Sequence, residues 1–157
     1  MPAYSIRPAV PADNDSLLRI AARMAENGLP PWRERNRALA WHRAEAQKLL
    51  SPAHPEAHLL VAEGEAGILG FICFHPEEDF LTGETQGYIA DLAVDAAAEG
   101  QGIGKALLGA AEIWCAGMGF RFLALDVFAM NAAARAFYSN RGFQEQTVKM
   151  VKVLARE

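Results

Sequence analysis

The chain has 157 residues, which is enough for one domain with a sizeable core and too short for two ordinary domains. Its apolar content of 52% and charged content of 22% are typical of a soluble globular protein. The net charge of −4 argues against nucleic acid or an anionic membrane as the main partner. No apolar run approaches the ~20 residues that a membrane-spanning helix needs. We therefore predict a single domain over residues 1–157.

The two cysteines, Cys73 and Cys115, lie in apolar runs and share no spacing motif. This pattern predicts two buried thiols rather than a disulfide framework or a zinc site, and no metal is expected. The N-terminal residues contain no apolar core of a secretory signal. Together these features predict a cytoplasmic protein.

The first half of the chain predicts a short strand followed by two helices. The strand is Tyr4–Arg7, ended by Pro8, and the first helix runs from Pro11 to Asn27 with Gly28 just beyond it. A second helix is predicted from Trp32 to Leu50, where Ser51 and Pro52 stop it.

The second helix carries aromatic and charged residues together. Trp32 and Trp41, with His42, are candidates for a substrate pocket. The alternative is that both tryptophans are core anchors and that His42 is a surface or packing residue.

A hairpin of two strands follows, His58–Glu63 and Ile68–His75, joined by the turn at residues 64–67. Residues 75–86 are predicted to form an acidic loop that contains Glu84. Such a loop could attract a cationic amine, although a charged loop is also an ordinary solvated surface.

The second half of the chain alternates strands and helices. The predicted elements are a strand Gly87–Val94, a helix to about Ala116, a strand Phe122–Phe128, a helix Asn131–Arg141 and a last strand region Phe143–Val153. The full order β-α-α-β-β-β-α-β-α-β predicts a mixed α/β (α+β) fold. Its twisted, mostly antiparallel sheet is flanked by helices, with one crossover connection between Val94 and Phe122.

A glycine-rich turn stands where the strand Gly87–Val94 gives way to the next helix. Gly100, Gly102 and Gly104 alternate there, and glycine lets a backbone approach a bulky ligand closely. The unpaired N–H groups and partial positive charge of a helix start then favour a phosphate. The P-loop and the dinucleotide fingerprint do not fit, because Glu99 and Leu107 occupy positions where those patterns need a small residue.

Two motifs, at residues 92–104 and 131–143, occur in the order and spacing of a known family. The first joins Leu92-Ala93-Val94 to Gln101-Gly102-Ile103-Gly104, and the second is formed by Asn131, Phe137, Tyr138, Gly142 and Phe143. Together they resemble the GNAT superfamily of acyl-CoA-dependent N-acyltransferases. The resemblance is good from about Leu60 to Val151 and loose over the first fifty residues.

The resemblance implies where acetyl-CoA lies. Its pyrophosphate would contact the backbone N–H groups of residues 101–105, from Gln101 to Lys105, and its pantetheine arm would run along Leu92, Ala93 and Val94. Asn131 would also contact CoA, although asparagine is a common helix N-cap as well. The two strands beside the site would splay apart.

One position departs from the motif. Glu99 stands where the family has Gln or Arg, close to the negative diphosphate. Since repulsion there would oppose binding, we expect the Glu99 carboxylate to point to solvent or to pair with a nearby cation such as Lys105.

The acetyl transfer requires a base and an acid. Asp91 lies among apolar residues on the strand beside the implied thioester, where burial would raise its pKa. The alternatives are a structural Asp91 paired with an arginine, Glu84 as the base, or an ordered water. Tyr138 matches the tyrosine that protonates the departing sulfur in many family members; otherwise it is a core aromatic.

The function that follows is an acetyl-CoA-dependent N-acetyltransferase. It would move an acetyl group to a primary amine of a small molecule directly, through a ternary complex. The alternatives are a protein or peptide N-acetyltransferase and a non-catalytic CoA-binding sensor. The identity of the amine stays open, as does the oligomeric state, for which a homodimer is one option.

Overall fold

A computed structural model of the protein describes residues 3–26, 28–49 and 56–155. Five strands form one sheet in the order β1-β2-β3-β4-β5. The strands are β1 (Tyr4–Pro8), β2 (His58–Gly64), β3 (Gly67–Glu78), β4 (Thr85–Val94) and β5 (Leu123–Leu125). All neighbouring pairs are antiparallel except β4 and β5, which are parallel. The mixed, mostly antiparallel fold predicted from the sequence is therefore confirmed, as is the crossover between β4 and β5.

The helices are α1 (Asn14–Ala21), α2 (Arg35–Leu49), α3 (Ile103–Gly117) and α4 (Ala132–Ser139), and short 3₁₀ turns at Pro11–Asp13 and Ala22–Ala25 flank α1. α2 begins later than its predicted start at Trp32. The cause is Glu34, whose carboxylate accepts hydrogen bonds from the backbone N–H groups of Asn36 and Arg37 and so caps the helix. The predicted ends at Asn27 and Leu50, and the stop at Ser51 and Pro52, lie outside the described residues.

The sheet has a buried cluster on each face, as the period of two along its strands requires. On one face α3 packs Leu107 and Leu108 against Ile72 and Phe74. On the other face α1 packs Leu17 and Ile20 against Val61 and Phe71. Both cysteines are buried free thiols, as expected. No helix in the part of the chain that is described is long and apolar enough to cross a membrane.

Half of the predicted acidic loop at residues 75–86 is strand, namely residues 75–78 and 85–86, so the predicted bounds of the loop were wrong. The β3–β4 ladder extends outwards to the pair Glu78 and Thr85, which leaves a turn of only six residues, 79–84. Buried Asp79 closes this turn, because its carboxylate accepts a hydrogen bond from the Thr82 hydroxyl. The charged composition concealed the pairing, since Glu77 sits opposite Gln86 and accepts a hydrogen bond from its side chain.

The C-terminal strands are shorter than predicted. β5 covers three residues instead of Phe122–Phe128, and the last predicted strand, Phe143–Val153, has no regular structure. The alternation of apolar and polar residues there is real, but a strand forms only where a partner offers a ladder. Val148 and Met150 are 71% and 91% exposed, so the apolar side of this alternation covers no core.

Candidate active site

Strands β4 and β5 separate halfway along β4. Ala90 is an extra residue in the ladder with β3, because Asp91 pairs with Cys73 while Ile89 pairs with Phe74. Such a bulge bends a strand and disrupts its ladder. On its other side β4 pairs with β5 only at residues 87–89, so residues 90–94 offer free backbone groups to a cleft. This is the separation of strands that the family resemblance implies.

The loop after β4 ends in a backbone cradle. Gly102 has φ of +78°, a conformation that side-chain-bearing residues rarely adopt, and a Cβ built there would meet open space. The first backbone bond of α3 runs from the Ala106 N–H to the Gly102 carbonyl at 3.0 Å. The N–H groups of the three residues between them have no helical acceptor, so this loop fits a phosphate group.

Gly104 has a different role from Gly102. It lies within α3, and a Cβ there would be 3.5 Å from the Phe137 ring and 3.7 Å from Val94. These are ordinary contact distances. A methyl group would therefore fit at Gly104, whereas the positive φ of Gly102 favours glycine in the loop.

The other predicted CoA-binding residues divide into those that offer backbone and those that offer side chains. Ala93 and Ile103 are 8% and 1% exposed and turn their side chains into the core, which leaves only main chain for a ligand. Leu92 and Val94 are partly buried, whereas Gln101 and Lys105 are exposed.

Asn131 is the N-cap of α4. Its side-chain oxygen accepts a hydrogen bond from the Ala134 N–H at 3.1 Å, which satisfies one of the free donors at the helix start. The side chain also lines the cleft, and its amide N–H groups are not consumed by the cap. Asn131 can therefore both cap the helix and meet a ligand.

Asp91 is the first residue after the bulge. Burial, with a smaller contribution from the Glu45 carboxylate of α2, raises the pKa of Asp91 from 3.8 to about 7. Among the described residues no arginine or lysine forms an ion pair with it. The alternative of a structural aspartate paired with an arginine therefore finds no partner in this part of the chain.

Tyr138 lines the same cleft from α4 and packs edge-on against Phe137 and Phe143, with ring centroids 5.1 and 5.5 Å away. Burial, together with the charge of Asp91, raises the pKa of Tyr138 to about 12. Its hydroxyl consequently keeps its proton near neutral pH.

The two candidate bases lie at opposite ends of β4. Glu84 is in the hairpin turn, where it forms an ion pair with Arg121 at 3.0 Å. Asp91 lies seven positions further along the chain, which corresponds to roughly 23 Å along an extended strand. Glu84 is not among the cleft residues, so the structure brings Asp91 and Tyr138 together and leaves Glu84 apart.

Trp32 and Trp41 are not core anchors. They are 42% and 60% exposed and line the cleft from the segment before α2 and from α2 itself. His42 lies beside Trp41, with ring centroids 5.2 Å apart, and burial lowers its pKa. Both tryptophans therefore face the cleft, and their role in binding a substrate stays a prediction.

Arg23 is a site residue that the sequence reasoning missed. Its guanidinium donates to the Val94 carbonyl and, at 2.5 Å, to the Glu99 carboxylate. Glu99 does pair with a cation, but the predicted partner Lys105 was wrong. Arg23 lies 76 positions away in sequence, and no local pattern signals such a contact.

Comparison with known proteins identifies the family. Residues 19–143 match the model of the acetyltransferase (GNAT) family. The chain is 35% identical over 101 residues to YycN, an uncharacterized N-acetyltransferase of Bacillus subtilis (strain 168), with 64% of each protein covered. It is 32% identical over 143 residues to a mycothiol acetyltransferase of Amycolatopsis mediterranei (strain U-32), covering 88% of this chain and 46% of that protein.

The chain thus corresponds to less than two thirds of the length of either relative. Among solved structures, a GCN5-related N-acetyltransferase from Ralstonia eutropha JMP134 has the same fold, with a TM-score of 0.75. The sequences are 24% identical, and 96% of this chain and 98% of that one are covered. With its splayed strands, glycine loop and matched family model, the chain belongs to the acetyltransferase (GNAT) family.

Proposed function

We propose that the protein is an N-acetyltransferase that moves the acetyl group of acetyl-CoA to a primary amine of a small molecule, directly and within a ternary complex. One observation carries the proposal. The open half of β4 presents a carboxylate with a pKa near 7, beside a protonated tyrosine and next to a phosphate-fitting loop. Acetyl-CoA supplies the activated acetyl group as a thioester.

The first task is to hold the acetyl donor. The backbone N–H groups at the start of α3 suit the diphosphate, and the free edge of residues 90–94 suits an extended arm with amide groups, which it can bind as a further strand. Because main chain does the binding, the side chains of Gln101 and Lys105 are less constrained than the conformation of Gly102.

The second task is to remove a proton from the amine. A lysine-like amine has a pKa of about 10.4, so its neutral form costs roughly 4–5 kcal/mol at pH 7. Asp91 would serve as the base, directly or through a water molecule. A carboxylate with a pKa near 7 is mostly ionised just above neutral pH and remains basic enough to accept the proton.

The third task is to assist departure of the CoA sulfur. The Tyr138 hydroxyl keeps its proton near neutral pH and lies in the cleft close enough to feel the charge of Asp91. It would donate a hydrogen bond or a proton to the sulfur as negative charge develops there. A thiol with a pKa of about 8.5 leaves readily. We therefore expect Tyr138 to contribute less to the rate enhancement than Asp91 does.

The acceptor would enter from the α2 side. Trp32 and Trp41 give that wall exposed aromatic surface, while Glu45 and Asp91 give it negative charge. Aromatic rings and carboxylates together suit a small amine that arrives as a cation.

The test is a panel of small amines and peptides incubated with acetyl-CoA, in which free CoA thiol is measured. Thiol release with one or more small amines is the expected result. Release only with peptides would establish a protein N-acetyltransferase instead. Acetyl-CoA binding without release on any acceptor would point to a CoA-binding sensor.

A further inference from the structure

The Arg23 side chain reaches the cofactor loop from a separate segment of the chain, the 3₁₀ turn after α1. Its Nη1 donates to the Val94 carbonyl at the end of β4, and its Nη2 donates to the Glu99 carboxylate. Its Nε lies 3.6 Å from the Glu26 carboxylate. Two hydrogen bonds and one ion pair therefore hold the guanidinium, although the side chain remains 22% exposed.

The guanidinium has donors left over. Arginine carries five N–H groups, and one each on Nη1 and Nη2 is used by the Val94 carbonyl and the Glu99 carboxylate. The second N–H groups of Nη1 and Nη2 have no acceptor among the described residues. Arg23 lines the cleft, and its bond to Glu99 holds the guanidinium at the loop that leads into the phosphate cradle.

The charge of the loop also favours a role for the Arg23 guanidinium at the cradle. The loop carries Glu99 beside the cradle, and an unpaired carboxylate there would repel a diphosphate. Pairing with Arg23 neutralises it. Because a guanidinium forms a planar fork that matches phosphate oxygens, the paired Arg23 can bind an anion while Glu99 holds it in position.

We propose that Arg23 binds the diphosphate of acetyl-CoA and that Glu99 orients its guanidinium for this purpose. The inference rests on the proposed function, because it assumes that acetyl-CoA occupies this cleft. It adds a cationic side chain to a site otherwise formed from backbone N–H groups.

The deciding experiment compares two acetyl donors in the Arg23→Gln variant. Acetyl-CoA has the diphosphate, whereas S-acetylpantetheine lacks it. We expect kcat/KM for acetyl-CoA to fall about tenfold or more, the size of effect typical of a charge-assisted hydrogen bond, and kcat/KM for S-acetylpantetheine to stay unchanged. Equal losses with both donors would mean that Arg23 only supports the end of β4, and that result would overturn the proposal. An unchanged value with acetyl-CoA would overturn it as well.

Two further variants sharpen the result. Arg19→Gln removes the same charge from the neighbouring helix α1, but Arg19 pairs with Asp95 and is 58% exposed, so acetyl-CoA affinity should change little. Arg23→Lys keeps the charge without the fork and should recover part of the affinity. Loss of affinity as large in Arg19→Gln as in Arg23→Gln would replace a specific contact with a general effect of charge.

Calorimetric binding of acetyl-CoA separates this proposal from the one it rests on. Wild-type protein that neither binds nor uses acetyl-CoA would overturn the proposed function and this inference together. Wild-type protein that binds acetyl-CoA no better than folded Arg23→Gln would overturn the role of Arg23 alone.

Discussion

The two halves of β4, residues 85–89 and residues 90–94, belong to one continuous strand and have opposite roles. From Thr85 to Ile89 the strand pairs with β3, and at residues 87–89 it also pairs with β5. The Tyr88 hydroxyl donates to Asp126, and Gln86 donates to Glu77. Beyond the bulge at Ala90, the strand keeps β3 as a neighbour and loses β5.

The environments of the two candidate bases, Glu84 and Asp91, differ accordingly. A carboxylate just before the paired half, Glu84, forms an ion pair with Arg121 in an exposed turn. The carboxylate in the open half, Asp91, is buried among apolar groups and its pKa rises to about 7. The two acidic residues therefore differ because Glu84 has a cationic partner in an exposed turn, whereas Asp91 is largely removed from solvent.

The largest effect should come from removing the carboxylate in the open half. Asp91→Asn is nearly isosteric and cannot accept a proton, so we expect kcat/KM to fall by about 10²-fold or more at pH 8, within the range for general-base catalysis. The matched change in the turn, Glu84→Gln, should leave kcat/KM near the wild-type value. A large loss in Glu84→Gln with none in Asp91→Asn would reverse the assignment of the two carboxylates.

The pH dependence of the wild-type protein and of Asp91→Asn tests whether the raised pKa of Asp91 controls the rate. The wild-type rate should fall as pH drops through about 7, because Asp91 then gains a proton, and this limb should vanish in Asp91→Asn. The folded-state pKa lies above the unfolded value, so ionised Asp91 destabilises the folded protein. Asp91→Asn should therefore have the higher Tm above pH 7, and the gap should close as pH falls from 7 towards 4. A gap that widens on acidification would contradict the burial of Asp91.

The next effect should come from a tyrosine facing the open half. Tyr138→Phe removes only the hydroxyl, and we expect kcat to fall about ten- to a hundredfold with little change in acetyl-CoA affinity. Tyr88→Phe is the matched change in the paired half. Because the Tyr88 hydroxyl donates a hydrogen bond to Asp126, Tyr88→Phe should alter Tm more than kcat. If kcat stays at the wild-type value when chemistry is rate-limiting, Tyr138 is a packing residue.

A smaller loss of activity, through weaker acetyl-CoA binding, is expected from a change in the glycine loop that follows the open half of β4. Gly102→Val forces a β-branched residue into a left-handed conformation, which costs about 1–3 kcal/mol, and so distorts the cradle. We expect the KM for acetyl-CoA to rise about tenfold. Gly104→Ala places a methyl group at contact distance from Phe137 and should be nearly silent. Calorimetry on both variants checks this, and equal affinities would remove the loop from the binding site.

Local patterns predicted the parts of the molecule that local forces determine. The hairpin around residues 64–67, the start of α3 after Gly102 and the N-cap at Asn131 follow from turn, glycine and capping preferences. Each depends on residues within a few positions of one another. Their types and approximate bounds were therefore visible in the sequence.

The remaining features depend on partners that are distant in the chain. The pairing of Glu77 with Gln86 turned an acidic loop into strand, and the exposed segment at Val148 stayed irregular because no ladder reached it. The contact between Arg23 and Glu99 joins two segments 76 positions apart. The bulge at Ala90 appears only from the register of two strands. The raised pKa of Asp91 was anticipated from its apolar neighbours, whereas the contribution of Glu45 was not.

The smallest expected effect concerns the wall that faces the open half. Trp41 is 60% exposed on α2 and lines the cleft, so Trp41→Ala should weaken acceptor binding without touching the acetyl donor. An exposed contact between a cation and an aromatic ring is worth about 0.5–1 kcal/mol, which corresponds to a two- to fivefold rise in the KM of the amine. Ile113→Ala is the control, because Ile113 is 76% exposed on α3 and is not a cleft residue. Steady-state kinetics with the amine and acetyl-CoA varied separately give the answer. A rise in the KM for acetyl-CoA instead would place Trp41 on the donor side, and the open half of β4 would then receive its acceptor from elsewhere.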